Sequence, residues 1–583
     1  MTAPQPASPA PRISSPAIAS SESLNPTLND AQIERIAKHG HRRQIREGDV
    51  LIHPGDQTTR LFIVIDGELT VFRSRDVAGA AANSDEAREP EVVIIFGPGQ
   101  FNGEVGILSG RRGFVEIRAT QPGEVIELER DQLLVLVQTD SELSEIMMRA
   151  FILRRVEMIS HRFGDVVLVG SSHTSETLRI KEFLTRNGHP FTSIDLDEHA
   201  DVQDVLDRFH VTVADTPVVI CRGESVLRNP TNQEIADCLG FNDAIDETQV
   251  RDLLVIGAGP AGLAAAVYAA SEGLDVLVVE PNSPGGQAGS TSKIENYLGF
   301  PAGISGQELA GRAYAQAQKF GADILIAQGA TRLLCDRTPY VVETDAGTRV
   351  SARVVVVATG AEYRRLPLDS LKRLDGFGVY YSATAVEAQL CRDNEVIIVG
   401  GGNSAGQAAV YLARTAAHVH VLVRSESLAA SMSRYLIRRI EETPNITLHT
   451  RTEIVALDGK DRLEHVQWRD LRTGETAGHD IGSVFVMTGA NPNTAWLNGC
   501  IALDEHGFIK TGPALSVEDL RQARWPQGRA PFLLETSLQG VFATGDVRSG
   551  SVKRVASAVG DGSIAVSFVH QVLAQQGAVA GRG

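Results

Sequence analysis

Two glycine-rich segments of this chain each follow a short apolar run, and both have the spacing that binds the phosphates of a dinucleotide. The first follows the run 252–256, and another apolar run, 276–279, ends at Glu280. In this pattern the glycines let backbone N–H groups approach a pyrophosphate at a helix N-terminus, and the acidic residue accepts ribose hydroxyls. The segment therefore predicts a strand, loop, helix and strand that hold the adenosine half of a dinucleotide. The loop residues are Gly257, Ala258, Gly259, Pro260, Ala261 and Gly262.

The second loop follows the apolar run 396–399, and the next apolar run, 419–423, ends at Arg424. Its last position is alanine, and no Asp or Glu stands at the end of the second strand. Both features favour the 2′-phosphate of NADP over the free ribose of NAD. NADPH is the predicted coenzyme and NADH the alternative, with Arg434 as a second candidate cation. The loop residues are Gly400, Gly401, Gly402, Asn403, Ser404 and Ala405.

Five further segments make residues 250–575 similar to the low-molecular-weight thioredoxin reductases. The resemblance implies an FAD domain in two parts, a nicotinamide domain inserted between them, and a homodimer. It places Gln287 and Asn296 beside the isoalloxazine ring and Asp546 at the ribityl and phosphate region. Val555 replaces the middle residue of the family's Arg-Gln-Ala. The five segments are 285–287, 294–297, 354–360, 540–547 and 554–556. The FAD contacts implied by the resemblance are Gly286, Gln287, Asn296, Ala358, Thr359, Gly360, Gly545, Asp546, Arg554, Val555 and Ala556.

The family's redox-active CxxC is absent from its usual place, where this chain has Ser382-Ala383-Thr384-Ala385. Only a thiolate attacks a disulfide, and the single downstream Cys391 cannot form an internal disulfide. We therefore expect hydride to pass from NADPH to FAD and then directly to an acceptor, with quinones, oxygen, ferredoxin and flavodoxin as candidates. No side chain is assigned as a catalytic acid or base, because hydride transfer needs positioning above all. The alternative is a redox or nucleotide sensor, or a scaffold, with little turnover.

Residues 27–160 resemble a cyclic-nucleotide-binding domain, which implies an eight-stranded β jelly-roll. The resemblance rests on 62–67 and on the cassette 101–108, in which Glu104 matches the residue that binds the ribose hydroxyl. Gly113, followed by Phe114, stands where the family has the arginine that pairs with the cyclic phosphate. Cyclic nucleotide is thus one candidate partner, with neighbouring Arg111 and Arg112 as substitute cations, and a structural or docking role is the alternative.

Residues 161–245 resemble a thioredoxin or glutaredoxin domain. The pattern predicts strands at 166–169, 191–196 and 218–221 and helices at 177–187, at 202–209 and near Glu234. The resemblance implies a cis bond between Thr216 and Pro217. The active-site turn, 171–175, reads Ser-Ser-His-Thr-Ser and has no cysteine, so scaffolding or partner docking is favoured over thiol chemistry.

The predicted fold class is multidomain α/β, with a jelly-roll, a thioredoxin-like domain and two Rossmann-type domains. The expected divisions are a disordered tail at 1–26 and domains at 27–160, 161–245, 246–366 with 488–583, and 367–487. A net charge of −17 disfavours nucleic-acid binding, and no apolar run is long enough to cross a membrane. No metal site is predicted. The five cysteines are scattered, which predicts single buried thiols rather than disulfides. A cytoplasmic location is expected.

Overall fold

The computed structural model divides the chain into two compact units, residues 1–75 with 88–161 and residues 76–87 with 162–583. The residues that the structure describes are 21–57, 60–73, 91–109, 111–113, 115–160, 166–171, 174–196, 215–221, 225–291, 294, 296–368, 370–374, 377–381, 383, 385–460, 462–497, 499–526 and 528–580.

The first unit is built around one antiparallel sheet. Its central strands β3 and β5, of 14 residues each, pair along most of their length, and buried Phe101 and Phe151 pack beneath them. Over the described residues the sheet has five strands where eight were expected, because β3 and β5 continue through register shifts near Asp66 as single strands. The elements are α1 Ser21–Leu24, α2 Asp30–Ala37, β1 His41–Ile45, β2 Val50–Ile52, β3 Arg60–Arg73, β4 Glu91–Phe96, a 3-10 turn Val105–Ser109, β5 Glu116–Glu129, α3 Arg130–Thr139 and α4 Ser141–Ser160.

The second unit begins with a four-stranded sheet in the order β7-β6-β8-β9. Strands β6 and β7 run parallel, whereas β8 and β9 are antiparallel to their neighbours. The predicted strands and the helices near 177–187 and Glu234 are confirmed, while the helix expected at 202–209 lies outside the described residues. The Thr216–Pro217 bond is cis, as the resemblance implied. The elements are β6 Val166–Gly170, α5 Ser175–Arg186, β7 Thr192–Asp195, β8 Val218–Cys221, β9 Ser225–Arg228 and α6 Asn232–Leu239.

A seven-stranded sheet follows, in the order β12-β11-β10-β15-β14-β13 with β26 paired to β15. Strands β12, β11, β10, β15 and β26 run parallel and carry apolar runs buried on both faces, as parallel strands covered by helices require. The elements are β10 Val250–Ile256, α7 Pro260–Ser271, β11 Val276–Glu280, α8 Gly286–Gly289, α9 Gly306–Lys319, β12 Asp323–Ile326, β13 Ala330–Leu334, β14 Tyr340–Thr344, β15 Arg349–Val357, β26 Val541–Ala543 and α15 Val555–Ala580.

An inserted domain lies in sequence between strands β15 and β26 of this sheet. Its parallel sheet has the order β17-β24-β18-β19-β20, beside a three-stranded antiparallel sheet β21-β22-β23, and the two connecting segments β16 and β25 pair with each other. The elements are β16 Ala361–Tyr363, α10 Leu371–Leu374, β17 Val379–Tyr380, α11 Ala385–Leu390, β18 Glu395–Val399, α12 Asn403–Leu412, β19 His418–Val423, α13 Arg434–Glu442, β20 Ile446–Thr450, β21 Thr452–Asp458, β22 His465–Asp470, β23 Thr476–His479, β24 Val484–Val486 and β25 Ala490–Pro492. Helix α14, Val517–Gln522, and the 3-10 turns Ala495–Leu497, Gly512–Ala514 and Gly545–Val547 follow.

The expectation of five single thiols is wrong for two of the cysteines. Cys335 and Cys500 form a disulfide, with 5.9 Å between their Cα atoms and 165 residues between them in sequence. Packing of the Ala495–Leu497 turn beside β13 brings the two together, which spacing along the chain cannot reveal. Cys221, Cys238 and Cys391 are free thiols. Among helices formed by described residues, none has the length and apolar character needed to cross a membrane.

Candidate functional site

A cavity of about 980 Å³ in the second unit is lined by residues from both glycine loops. Most of the predicted site residues meet here: Gly257, Gly259, Pro260, Ala261, Glu280, Gly286, Gln287, Asn296, Ala358, Thr359, Gly360, Asn403, Ser404, Gly545, Asp546, Arg554 and Val555. Six predicted residues do not line it: Gly262, Gly400, Gly402, Ala405, Arg424 and Ala556.

The first glycine loop brings backbone close to backbone between β10 and α7. Gly257 has φ +101°, and a Cβ added there would lie 2.6 Å from the carbonyl oxygen of Ala358. A Cβ on Gly262 would lie 1.8 Å from the carbonyl oxygen of Gly257, which explains why this residue serves packing and not the cavity wall. Gly259 caps α7 without a side-chain hydrogen bond, and Pro260 follows. The first N–H groups of the helix are therefore left for an anion.

Glu280 is buried at the end of β11 and orders this loop. Its Oε2 accepts a hydrogen bond from the N–H of Ala258 at 2.7 Å, and its Oε1 accepts from Asn282 at 3.0 Å and Ser283 at 3.2 Å. Burial raises the pKa of the Glu280 carboxyl, opposed by these three bonds and by the charge of Arg186. The sequence motif predicted that Glu280 binds ribose hydroxyls. In the structure its carboxylate accepts hydrogen bonds from three backbone N–H groups.

Gly286 and Gln287 form the turn at the start of α8. Gly286 has φ +52°, and a Cβ there would lie 3.1 Å from the Cα of Gly259, so the two glycine segments touch. The Gln287 side-chain amide donates to the carbonyl oxygen of Ala361 in a connecting segment. Asn296 lines the cavity from an exposed position. These contacts join the predicted flavin segment to the base of the inserted domain.

The segment after β26 forms another wall. The N–H of Gly545 donates to Asp561 on α15 at 3.2 Å, which places this turn over the helix start. Burial raises the pKa of the Asp546 carboxyl, and the Lys553 ammonium donates to the Asp546 carbonyl oxygen at 3.0 Å. Among the described residues, the fully buried Thr544 Oγ1 has no hydrogen-bond partner although Thr544 lines the cavity.

The second glycine loop begins α12 in the inserted domain. Gly400 has φ +145°, and a Cβ there would lie 2.3 Å from the carbonyl oxygen of Met487, so it packs against β24 and lies behind the cavity wall. Gly402 caps α12 without a side-chain hydrogen bond. Asn403 and Ser404 line the cavity, and Asn403 Oδ1 accepts from the N–H of Ser433 at 2.7 Å.

Arg424 follows β19 and is exposed, outside the cavity wall. Arg434 is the exposed first residue of α13. Arg451, which follows the neighbouring strand β20, does not line the cavity, and its backbone N–H donates to the carbonyl oxygen of Ser425 at 3.1 Å. Its guanidinium pairs with Glu426. The parallel pairing of β19 with β20 brings these strand ends together, a relation that no local motif signals.

At the position of the family's dithiol, Ser382 and Thr384 lie outside the described residues, and Ala383 is buried. Nearby, Tyr380, Tyr381 and Glu387 line the cavity. Burial raises the pKa of the Tyr380 hydroxyl to about 12, with smaller contributions from Cys391 and Glu387. This part of the wall therefore contains two phenol side chains and one carboxyl group.

Several lining residues have no counterpart in the sequence motifs. Asn493 and Trp496 come from the chain after β25, where the Asn493 carbonyl oxygen accepts from Thr359 Oγ1 at 2.9 Å and from Trp496 Nε1 at 3.2 Å. Helix α5 of the segment 161–245 contributes an unexpected face to the same cavity: Ser175, Leu178, Arg179, Glu182 and Arg186. Within the described part of the chain, no cluster of His, Cys, Asp and Glu could hold a metal ion.

In the first unit, the cassette carboxylate is close to a helix cation. Glu104 Oε2 lies 3.6 Å from an Arg155 guanidinium nitrogen. Arg111 is buried, Arg112 forms an isolated antiparallel bridge with Gln57, and Phe114 lies outside the described residues.

Two family models match the chain. The pyridine nucleotide-disulphide oxidoreductase model matches residues 251–562, and the cyclic nucleotide-binding domain model matches residues 42–140. The second match confirms the family expected for the N-terminal domain.

Three similar proteins each cover 56% of this chain. The thioredoxin reductase of Mycolicibacterium smegmatis is 35% identical over 327 residues, 56% of this chain and 98% of that protein. That of Bacillus subtilis (strain 168) is 32% identical over 326 residues, 56% of this chain and 96% of that protein. The crystal structure of Lactococcus lactis thioredoxin reductase in its FR conformation has a TM-score of 0.50 and 27% identity, covering 56% of this chain and 99% of that one. The chain therefore belongs to the pyridine nucleotide-disulphide oxidoreductase family and is an NAD(P)H-dependent flavin oxidoreductase.

Proposed function

We propose that this protein binds FAD in the 980 Å³ cavity, accepts hydride from NADPH and passes electrons directly from the flavin to an acceptor other than an internal disulfide. One observation carries the proposal: residues of the first glycine loop and Asn403 and Ser404 of the second line the same cavity. A flavin held by the first loop and a nicotinamide held by the second are then served by one continuous space.

The residues present fit FAD. The uncapped start of α7 offers N–H groups for a pyrophosphate, and a Cβ on Gly286 would lie only 3.1 Å from the Cα of Gly259, so backbone approaches backbone closely there. The buried Thr544 hydroxyl, which lacks a partner among the described residues, is a hydrogen-bond donor for the bound FAD. When bound, the flavin supplies hydride acceptance at its ring, and the protein supplies position and water exclusion.

NADPH is supported as donor by the chain's own charges. Arg424 and Arg434 are both exposed; Arg424 directly follows β19, at the strand end where this fold binds the 2′-phosphate, and Arg434 begins α13. The Glu426 carboxylate pairs with Arg451, so that arginine contributes less charge than the other two.

Direct electron transfer from the flavin to the acceptor is supported by the missing CxxC and by the burial of Cys391. The chain has Ser382 and Ala385 where the family's CxxC stands, and burial raises the pKa of Cys391, so this thiol is protonated at neutral pH. Purified protein should therefore oxidise NADPH with a quinone and fail to reduce the aryl disulfide DTNB. Substantial DTNB reduction that survives substitution of the free cysteines would contradict the proposal, and flavin that is reduced once and never reoxidised would support the sensor alternative.

The N-terminal domain supports a second function, ligand-dependent regulation. Its family match makes cyclic nucleotide the candidate ligand, while the Glu104–Arg155 pair and Gly113 leave the usual ribose and phosphate partners changed. Calorimetric titration of the full-length protein with cyclic AMP and cyclic GMP tests it. Saturable heat together with a change in NADPH turnover supports regulation, and absence of heat leaves the docking role for this domain.

A further inference from the structure

Helix α5 of the segment 161–245, whose active-site turn lacks cysteine, presents two different faces. Ile180, Phe183 and Leu184 are buried in an apolar cluster, while Leu178, Glu182 and Arg186, spaced four residues apart, lie on the face that lines the cavity. Residues four apart lie on one side of a helix. The segment therefore contributes one complete helix face to the proposed FAD site.

The position of this helix is fixed by an extensive interface. Ile326 and Ala327, at the end of β12, belong to the same buried apolar cluster as Phe183. Asn242 pairs with the backbone of Ile326 through two hydrogen bonds, with its Nδ2 donating to the carbonyl oxygen at 2.9 Å and its Oδ1 accepting from the N–H at 2.7 Å. The side chain of Asn232 donates to Asn282 Oδ1 at 3.0 Å, beside Glu280 in sequence.

Arg186 lies beside the phosphate-binding loop. Its Nη2 donates to the carbonyl oxygen of Gly286 at 2.6 Å, and Gly286 in turn touches Gly259. Its Nη1 lies 3.3 Å from Glu182 Oε1. The third guanidinium nitrogen, Nε, is buried and has no acceptor among the described residues. A buried N–H of a charged group calls for an acceptor, and an anionic oxygen is the strongest one available at a pyrophosphate site.

Arg179, about two helical turns before Arg186, adds a second cation to the same wall. It donates to Asn232 Oδ1 and to the carbonyl oxygen of Pro230 at 2.5 Å, both of which are neutral acceptors. These bonds orient its guanidinium without cancelling its charge.

We infer that the segment 161–245 is part of the FAD site, in which α5 closes the adenosine end of the cavity and Arg186 donates to the diphosphate of the cofactor. This inference rests on the proposed function. It gives the segment a role in flavin retention that needs no cysteine, and it adds to the FAD site a residue that lies outside residues 251–562 matched by the family model.

The test measures FAD binding by the full-length protein. Apoprotein is titrated with FAD and, separately, with ADP, and the release of FAD from the holoprotein is timed. Arg186→Met should weaken both FAD and ADP by about ten- to a hundredfold, because one charge-assisted hydrogen bond to the diphosphate is lost. Arg186→Lys keeps the charge and should lose less. Arg228→Met is the matched control, since Arg228 belongs to the same segment but does not line the cavity.

The outcomes separate the two claims. If Arg186→Met and Arg186→Lys both retain wild-type affinity for FAD and ADP and wild-type FAD release, the role of Arg186 is wrong while the flavin site stands. If Arg186→Met fails to fold, the lysine variant decides by the same criterion, with Arg228→Met as reference. If the wild-type protein binds neither compound, the proposed FAD site itself is wrong.

Discussion

The thiol of Cys391 donates a hydrogen bond to the hydroxyl of Ser483, with 3.2 Å between Sγ and Oγ. Cys391 is fully buried in the core of the inserted domain, and burial raises the pKa of its thiol. A buried, protonated thiol bonded to a hydroxyl is a poor nucleophile toward disulfides. The cysteine nearest in sequence to the lost CxxC therefore serves packing.

This relation predicts that Cys391→Ala leaves NADPH oxidation with a quinone within about twofold of wild type, while costing about 1 kcal/mol of stability through the lost hydrogen bond and packing. Initial rates and thermal unfolding measure the two effects. Cys238→Ala is the control for removing a free thiol elsewhere. A loss of turnover in Cys391→Ala at unchanged flavin content would place this thiol in the electron path.

The glycines of the first loop can be tested with a matched pair of helical substitutions. Gly262→Ala forces a Cβ to within 1.8 Å of the Gly257 carbonyl oxygen, whereas Gly311→Ala on α9 meets nothing within 4 Å. We expect Gly262→Ala to lower stability by about 1–3 kcal/mol and to reduce bound flavin. Gly311→Ala should be neutral or stabilise by about 0.5–1 kcal/mol. Thermal unfolding and the flavin-to-protein absorbance ratio give both answers, and equal behaviour of the two variants would refute the close packing of this loop.

Coenzyme choice should depend on Arg424. Removing the exposed cation at the end of β19 by Arg424→Ala should raise KM for NADPH about tenfold and leave KM for NADH nearly unchanged, because only NADPH carries the 2′-phosphate. Arg438→Ala, with 78% of its side chain exposed on α13, is the control. Equal KM changes for both coenzymes would assign Arg424 another role.

Acid should destabilise the inserted domain through His449. Its Nε2 lies 3.1 Å from His420 Nδ1 and its ring centroid 5.2 Å from that of Trp468. Burial lowers its pKa to about 4, helped by the charges of neighbouring histidines. The unfolded chain has the ordinary pKa of about 6.5, so stability is full above that pH and falls as the pH drops from about 6.5 toward 4.

Because His449 is half-buried, we expect the free energy of unfolding to fall by about 1–2 kcal/mol at the acid end of this range. His449→Gln should flatten the dependence of the thermal midpoint on pH between about 7.5 and 5, and His506→Gln, on an exposed histidine, should not. An unchanged slope in His449→Gln would show that His449 is not the group responsible.

The features that could be predicted from the sequence are those set by residues close together along the chain. The strand at Val218–Cys221 and the loop around Gly257 follow from apolar runs and glycine spacing, because both are set by local backbone requirements. Arg186 and Trp496 were missed because each reaches the cavity only through tertiary packing. The Cys335–Cys500 disulfide was missed for the same reason.

The central claim is that the flavin is the redox centre of this protein and that no dithiol takes part. Anaerobic titration of the holoprotein with NADPH, followed by flavin absorbance, tests it most directly. We predict full bleaching at about one two-electron equivalent per FAD, rapid reoxidation by a quinone, and an intact Cys335–Cys500 disulfide afterwards. Uptake of about two equivalents per flavin, with new titratable thiols, would contradict the account and place a disulfide in the path of the electrons.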